Sequence, residues 1–302
     1  MRRRLSKLQS LVFIHVSNVC FAATAIAVSV LSSDFDGWFT AFARFLVGAL
    51  FGFAHLAWTR APFRVVKFRP WIGRGIFGAL GMILYYVSIA LGTPGRASLF
   101  NNSFPVFVAV IAIVVLRETV RPTTIAGVAL AFSGVALVLW DGTGVNLASD
   151  AAGIASGFLA GISYHFNKRA SQTEHPVVIY LGVCLVGLLA TAYSLPQAAS
   201  LDTRAVILLA VAGLGAYAAQ IAITIGLRDI ATTEGSVHTF LKIPLTVVAG
   251  RVVLGNAITG RFVAGSALLF AGLMLNQLII RPKRATGTES PVGDSLAGGS
   301  RL

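Results

Sequence analysis

The chain has 302 residues, 56% of them hydrophobic and only 12% charged, with a mean hydropathy of +0.81. A soluble globular domain carries about 25% charged residues, enough to solvate its outer faces, so this composition excludes that class and points to a bilayer. The formal net charge of +13 does not form a nucleic-acid surface. Its residues sit in short clusters between apolar runs, namely Arg2, Arg3, Arg4 and Lys7, then Arg60, Arg64, Lys67 and Arg69, then Lys168 and Arg169. That is the pattern of cytoplasmic loops.

Ten apolar segments of spanning length are expected, at roughly 8–31, 37–58, 71–92, 95–116, 122–140, 151–168, 176–195, 204–227, 232–254 and 260–281,. The first follows a basic N-terminus and superficially resembles a signal peptide. Its apolar run continues to Leu31 without a small-residue cleavage site, so it reads as a span,. It carries His15 and Asn18, three residues apart on one helix face and read mainly as packing groups. The second span holds Arg44 in its outer half, and the third holds Tyr85 and Tyr86, candidates for an aromatic wall.

The fourth span contains "SLFNNSFPVFVAV", residues 98–110. Ser98, Asn102 and Pro105 share a face, and Asn101 lies about 100° away from Asn102. Asn102 is therefore expected to face a cavity while Asn101 holds a neighbouring helix; Ser103 stands beside them. Pro105 removes a ladder donor and crowds the preceding turn, which makes it a hinge. In the sixth span Gly153, Gly157 and Gly161 form a small-residue stripe for close helix approach, with Tyr164 and His165 beyond it,. The eighth span adds Gln220.

The ninth span spaces Glu234, His238 and Lys242 at i, i+4 and i+8, a single stripe, just before a second hinge at Pro244,. Glu234 lies near the cytoplasmic end and is expected to be solvated. Lys242 sits at mid-span, too deep for its side chain to reach either surface. All 11 acidic residues fall in loops, tails or span ends, so neither Lys242 nor Arg44 has an obvious counter-charge. Cys20 and Cys184 lie within apolar spans with no cluster of ligating residues around them, so no metal, cofactor or disulfide framework is expected,. The segment from about 285 is small and polar and reads as disordered,.

The halves resemble each other. "ALGTPGRASLFNNSFPVFVAVIAIVVLRETVRPTTIAGVALAFSGVALVL" has a counterpart in "GLRDIATTEGSVHTFLKIPLTVVAGRVVLGNAITGRFVAGSALLFAGLML". Five spans per half place the second copy upside down, the plan of many secondary transporters. The fold class expected is an all-α polytopic membrane protein, ten transmembrane helices in two inverted five-helix repeats. The division is a cytoplasmic N-terminus 1–7, repeats 8–141 and 142–282, and a cytoplasmic tail 283–302.

The stretch Ala90–Leu139 is similar to the EamA repeat of the drug/metabolite transporter superfamily. The likeness rests on "GRASLF", the proline four residues past Asn101, the turn Leu116–Glu118, and Gly127 followed by "FSGVALVL". The second half resembles it more weakly, with Asn256 where a glutamate would stand. Arg44 in "FARFLVG" resembles an arginine common in the second span of that family. The resemblance covers residues 8 to 281 and implies an inner-membrane carrier for small metabolites, often an exporter; the basic clusters and an even number of spans place both termini in the cytoplasm,.

The residues add an electropositive site for an anionic or zwitterionic metabolite such as an amino acid or organic acid. It is centred on Lys242 with Arg44, lined by Asn101, Asn102, Ser103, Tyr85, Tyr86, Tyr164 and Gln220. His238 and Lys242 are candidates for a coupling proton. The partners expected are a small-molecule substrate, lipids and protons, with the chain as a monomer or homodimer. A passive channel or facilitator is the alternative. An enzyme acting on a lipid-linked substrate is disfavoured, because no nucleophile set, paired carboxylates or metal cluster accompanies the spans.

Overall fold

A computed structural model describes residues 4–31, 34–91, 94–139, 146–254 and 259–278. Asn256, Asp141, the basic residues from Arg281 and the tail from 283 lie outside the described residues. The elements are helices α1 (Lys7–Leu31), α2 (Gly37–Trp58), α3 (Phe68–Leu91), α4 (Pro94–Asn101), α5 (Phe104–Val114), α6 (Pro122–Leu139), α7 (Leu147–Ala170), α8 (Pro176–Thr191), α9 (Thr203–Leu227), α10 (Thr232–His238), α11 (Lys242–Leu254) and α12 (Gly260–Leu278). Among the described residues there is no strand. Among the described residues six segments are long and apolar enough to cross a membrane on their own, and Pro122–Leu137 and Gly260–Leu275 are shorter apolar helices.

The helix starts follow from short polar residues at the turns. Asp36 accepts from Phe39 N at 2.7 Å, Asn146 from Ser149 N at 3.1 Å and Asp202 from Ala205 N at 2.7 Å. Each bond satisfies one of the amides that a helix start leaves without a partner. The seventh span is α8 followed by a 3₁₀ segment, Ala192–Ser200, that contains Pro196.

Packing repeats the internal symmetry. The leading contacts are α3 with α7, α6 with α12 and α1 with α9. Exchanging each span for its counterpart in the other half carries α3–α7 onto α9–α1, and α3–α8 onto α9–α2. The broken span α4–α5 packs on α7 as α11 packs on α1, while α2–α8 and α6–α12 map onto themselves.

Glycine permits two of these approaches. A Cβ at Gly157 would lie 2.5 Å from the Phe100 carbonyl oxygen and 2.8 Å from Ser103 Oγ, so the α7 stripe seats the broken span directly on its backbone. A Cβ at Gly272 would meet Ala131 N at 2.5 Å, which brings α12 onto α6.

Candidate functional site

Both proline-bearing spans are interrupted. The fourth ends its first helix at Asn101 and restarts at Phe104; the ninth ends at His238, passes through a 3₁₀ turn Thr239–Leu241 and restarts at Lys242. Pro105 and Pro244 stand at the start of the second helix in each case. Neither can donate to the carbonyl four residues back, that of Asn101 or Phe240, so the ladder is cut at these turns. Non-helical backbone at membrane depth is tolerated only where protein or a cavity covers it. Matched breaks in two repeats are the usual mark of a midplane site.

The two restarts meet. Lys242 Nζ lies 5.3 Å from the ring centre of Phe104, the first residue of α5, and 5.6 Å from that of Phe21 on α1. The positive ends of α5 and α11 thus begin at one depth with an ammonium between two aromatic faces. Phe104 in turn packs on Tyr164 of α7, ring centres 4.5 Å apart.

The polar stripe of the ninth span faces α1 along its length. Glu234 pairs with Lys7 at 2.6 Å, so it is ion-paired rather than simply solvated. His238 meets His15 edge to face at 5.4 Å, and Asn18 Nδ2 donates to the His238 carbonyl at 2.8 Å. Because a 3₁₀ turn separates His238 from Lys242, the stripe is carried by two helices and not by one.

Arg44 is buried in α2 and donates through Nη1 to Tyr86 Oη at 3.1 Å, while its Nε has no partner. Tyr85 lies ring to ring with Tyr86 at 5.6 Å, and its hydroxyl shares a 2.9 Å hydrogen bond with Ser98. Arg44, Tyr86, Tyr85 and Ser98 thus form a connected polar and aromatic set reaching from α2 through α3 to α4.

The carboxamides divide. Asn101 Nδ2 donates to Ser156 Oγ on α7 at 3.1 Å, a bond between helices. Asn102 Nδ2 donates to Ser98 O one turn back, and its buried Oδ1 has no partner. Ser103 Oγ donates to Phe100 O at 2.5 Å and closes the end of α4.

One cation was not singled out from the sequence. Arg74 on α3 is 5% exposed; its Nη1 donates to Ser163 Oγ at 2.5 Å and its Nη2 to Gln220 Oε1 at 2.7 Å. Gln220, read as a site residue, therefore serves Arg74. The signal was available in "WIGRGIFG", an arginine between glycines inside an apolar run. Among the described residues no carboxylate approaches Arg44, Arg74 or Lys242 within ion-pair distance. A cavity of about 330 Å³ lies elsewhere, between α5 and α6, lined by Val106, Val110, Ile113, Ile125, Phe132 and neighbours. Its walls are almost wholly apolar, so it is a groove for hydrocarbon and not part of the cationic path.

An all-helical bundle with two spans broken at mid-depth around unneutralised cations is a polytopic membrane protein of the transporter class. Residues 8–140 and 147–278 each match the EamA-like transporter family, and the chain belongs to that family. It is 25% identical over 260 residues to a protein of Salmonella typhimurium named as a probable amino-acid metabolite efflux pump, covering 80% of this chain and 85% of the relative. A riboflavin transporter of Rhizobium johnstonii is 28% identical over 225 residues, covering 69% and 72%. An uncharacterized transporter of Archaeoglobus fulgidus is 25% identical over 206 residues, covering 66% and 74%. A solved structure aligns with TM-score 0.75 at 18% identity over 90% of this chain and 98% of its own, a likeness of fold.

Proposed function

We propose that this chain is a secondary transporter that exports a small anionic or zwitterionic metabolite, such as an amino acid or organic acid, across the cytoplasmic membrane by alternating access. The observation that carries this reading is Lys242 Nζ between Phe104 and Phe21, where two half-helices begin and, among the described residues, no carboxylate lies within ion-pair distance. A partly buried cation without a counter-ion is costly, and a substrate carboxylate supplies one when bound. Arg44 adds a second donor, and Tyr85, Tyr86 and Tyr164 give apolar walls with polar tips. The name of the Salmonella relative, an amino-acid metabolite efflux pump, agrees with a carboxylate-bearing cargo.

Both termini lie on the cytoplasmic face in this reading, each repeat crossing five times. Residues 1–7 precede the first repeat, 8–141 and 142–282 form the two, and 283–302 the tail. The unit is a monomer or homodimer, and the rocking pivots are Pro105 and Pro244. A proton is the coupling ion, carried by His238 and Lys242, with His15 packed edge to face against His238 at 5.4 Å.

The test is counterflow in proteoliposomes with labelled L-glutamate, L-phenylalanine and benzoate against choline. Saturable exchange of at least one carboxylate, lost in Lys242→Met, is the expected result. Choline transport, or carboxylate exchange indifferent to Lys242→Met, overturns the reading. Transport unchanged between pH 5 and 8 removes the proton from it.

A further inference from the structure

We infer that Arg74 is a second anion-recognition residue, placed between the midplane and the membrane face that bears the N-terminus. The inference rests on the proposed carboxylate cargo and assigns its first contact from that face.

Arg74 lies six residues beyond Phe68, where α3 starts, or about 9 Å along the helix axis from that face,. The guanidinium is 5% exposed and holds two neutral oxygens, Ser163 Oγ on α7 and Gln220 Oε1 on α9, at 2.5 and 2.7 Å. These contacts use one N–H on each terminal nitrogen, and both acceptors are neutral oxygens that a carboxylate can displace. Arginine does not relieve burial by losing its proton. The charge therefore persists in a site that offers it dipoles and no anion. Tyr164 follows Ser163, the residue that Arg74 bonds, and packs on Phe104, which faces Lys242. Neighbouring residues of α7 thus connect Arg74 to the rings around Lys242 through direct contacts.

Arg74 comes from the first repeat, whereas Ser163 and Gln220 come from the second. A carboxylate forms charge-assisted bonds roughly twice as strong as those to neutral oxygens. Anion arrival at Arg74 thus replaces two bonds that tie the repeats together and loosens the bundle on the side from which the anion entered.

The experiment uses the full chain in proteoliposomes whose orientation is fixed by protease digestion, with L-glutamate and benzoate applied separately to each face. Arg74→Gln is expected to raise the half-saturation concentration about ten-fold or more from the N-terminal face and less than two-fold from the other. Arg74→Lys recovers part of the loss, because charge is retained without the fork. Lys242→Met raises the value from both faces.

Equal effects of Arg74→Gln on both faces with no rescue by lysine indicate a structural role and overturn the inference. So does an unchanged half-saturation. Sensitivity to Lys242→Met with indifference to Arg74→Gln defeats this inference alone, whereas wild-type protein that moves neither probe defeats the proposed function with it. If Arg74→Gln does not yield folded protein, Gln220→Met replaces it. That variant frees the guanidinium and is expected to lower half-saturation from the N-terminal face; an increase or no change counts against the assignment.

Discussion

Replacing Lys242 by methionine separates a substrate-binding lysine from a packing one, because the two roles give opposite signs in two assays. The ammonium is half-buried between rings at 5.3 and 5.6 Å. Two such cation–π contacts contribute about 1–2 kcal/mol together. Against this stands the desolvation of a charge without a counter-ion, several kcal/mol per ion when fully buried and about 2–3 kcal/mol for a half-buried one. Lys242→Met keeps the length of the side chain and removes the charge, so the folded protein gains about 1 kcal/mol.

That gain raises the midpoint of thermal unfolding in detergent by about 2–4 °C. Transport moves the other way. A charge-assisted bond to a carboxylate lost in a dry site costs about 1.5–3 kcal/mol, or roughly a ten- to hundred-fold rise in half-saturation. Thermal unfolding followed by tryptophan fluorescence, paired with counterflow on the same preparation, reads both. A variant that melts several degrees lower yet transports normally would refute the argument, since Lys242 would then be structural.

Further outcomes follow from the packing and the loops. Gly157→Ala places a methyl 2.5 Å from the Phe100 carbonyl oxygen and is expected to cost about 1–3 kcal/mol, while Gly260→Ala, with nothing within 4 Å, changes little; melting curves compare them,. Lys168 Nζ donates to the carbonyls of Leu227, Arg228 and Ile230 at 2.8, 2.6 and 2.6 Å, clamping the end of α9. In a background lacking Cys20 and Cys184, Lys168→Ala should speed maleimide labelling of a cysteine at the buried Ser236 from the N-terminal face by several-fold; an unchanged rate removes the clamp.

Asp229 adds a pH effect. Burial pushes its carboxyl up, but bonds from Leu5 N–H and Arg228 outweigh this and hold it below its ordinary 3.8. Its stabilising contribution is thus complete above that value and is lost as pH falls through the lower folded value. Protease cleavage near Leu5 should increase only below about pH 4, and Asp229→Asn should cleave equally fast at neutral pH.

Much of the architecture was legible because its causes are local. A run of about 20 apolar residues must form a helix in lipid to satisfy its own backbone, so the order of spans could be read directly. Pro105 and Pro244 announced both breaks, since a missing N–H acts on its own turn wherever the chain is folded. The glycine stripe of α7 announced a close contact, though not that the partner would be the broken span.

The site was less legible. Asn101 and Asn102 are adjacent in sequence, yet one bonds Ser156 on another helix and the other bonds Ser98 on its own. Which of them does which depends on rotation of α4 against α7. Arg74 escaped notice because it lies near a basic loop, where an arginine ordinarily reaches water; its burial came from α7 and α9 closing over it. Helix formation, the two helix breaks and the shortage of mid-span acid were determined by the sequence alone, through composition and the geometry of single turns. Only the tertiary structure decided that Lys242 meets Phe104 and Phe21 and that Gln220 answers Arg74. Those pairings join residues far apart in the chain, and their geometry is set by how whole helices pack.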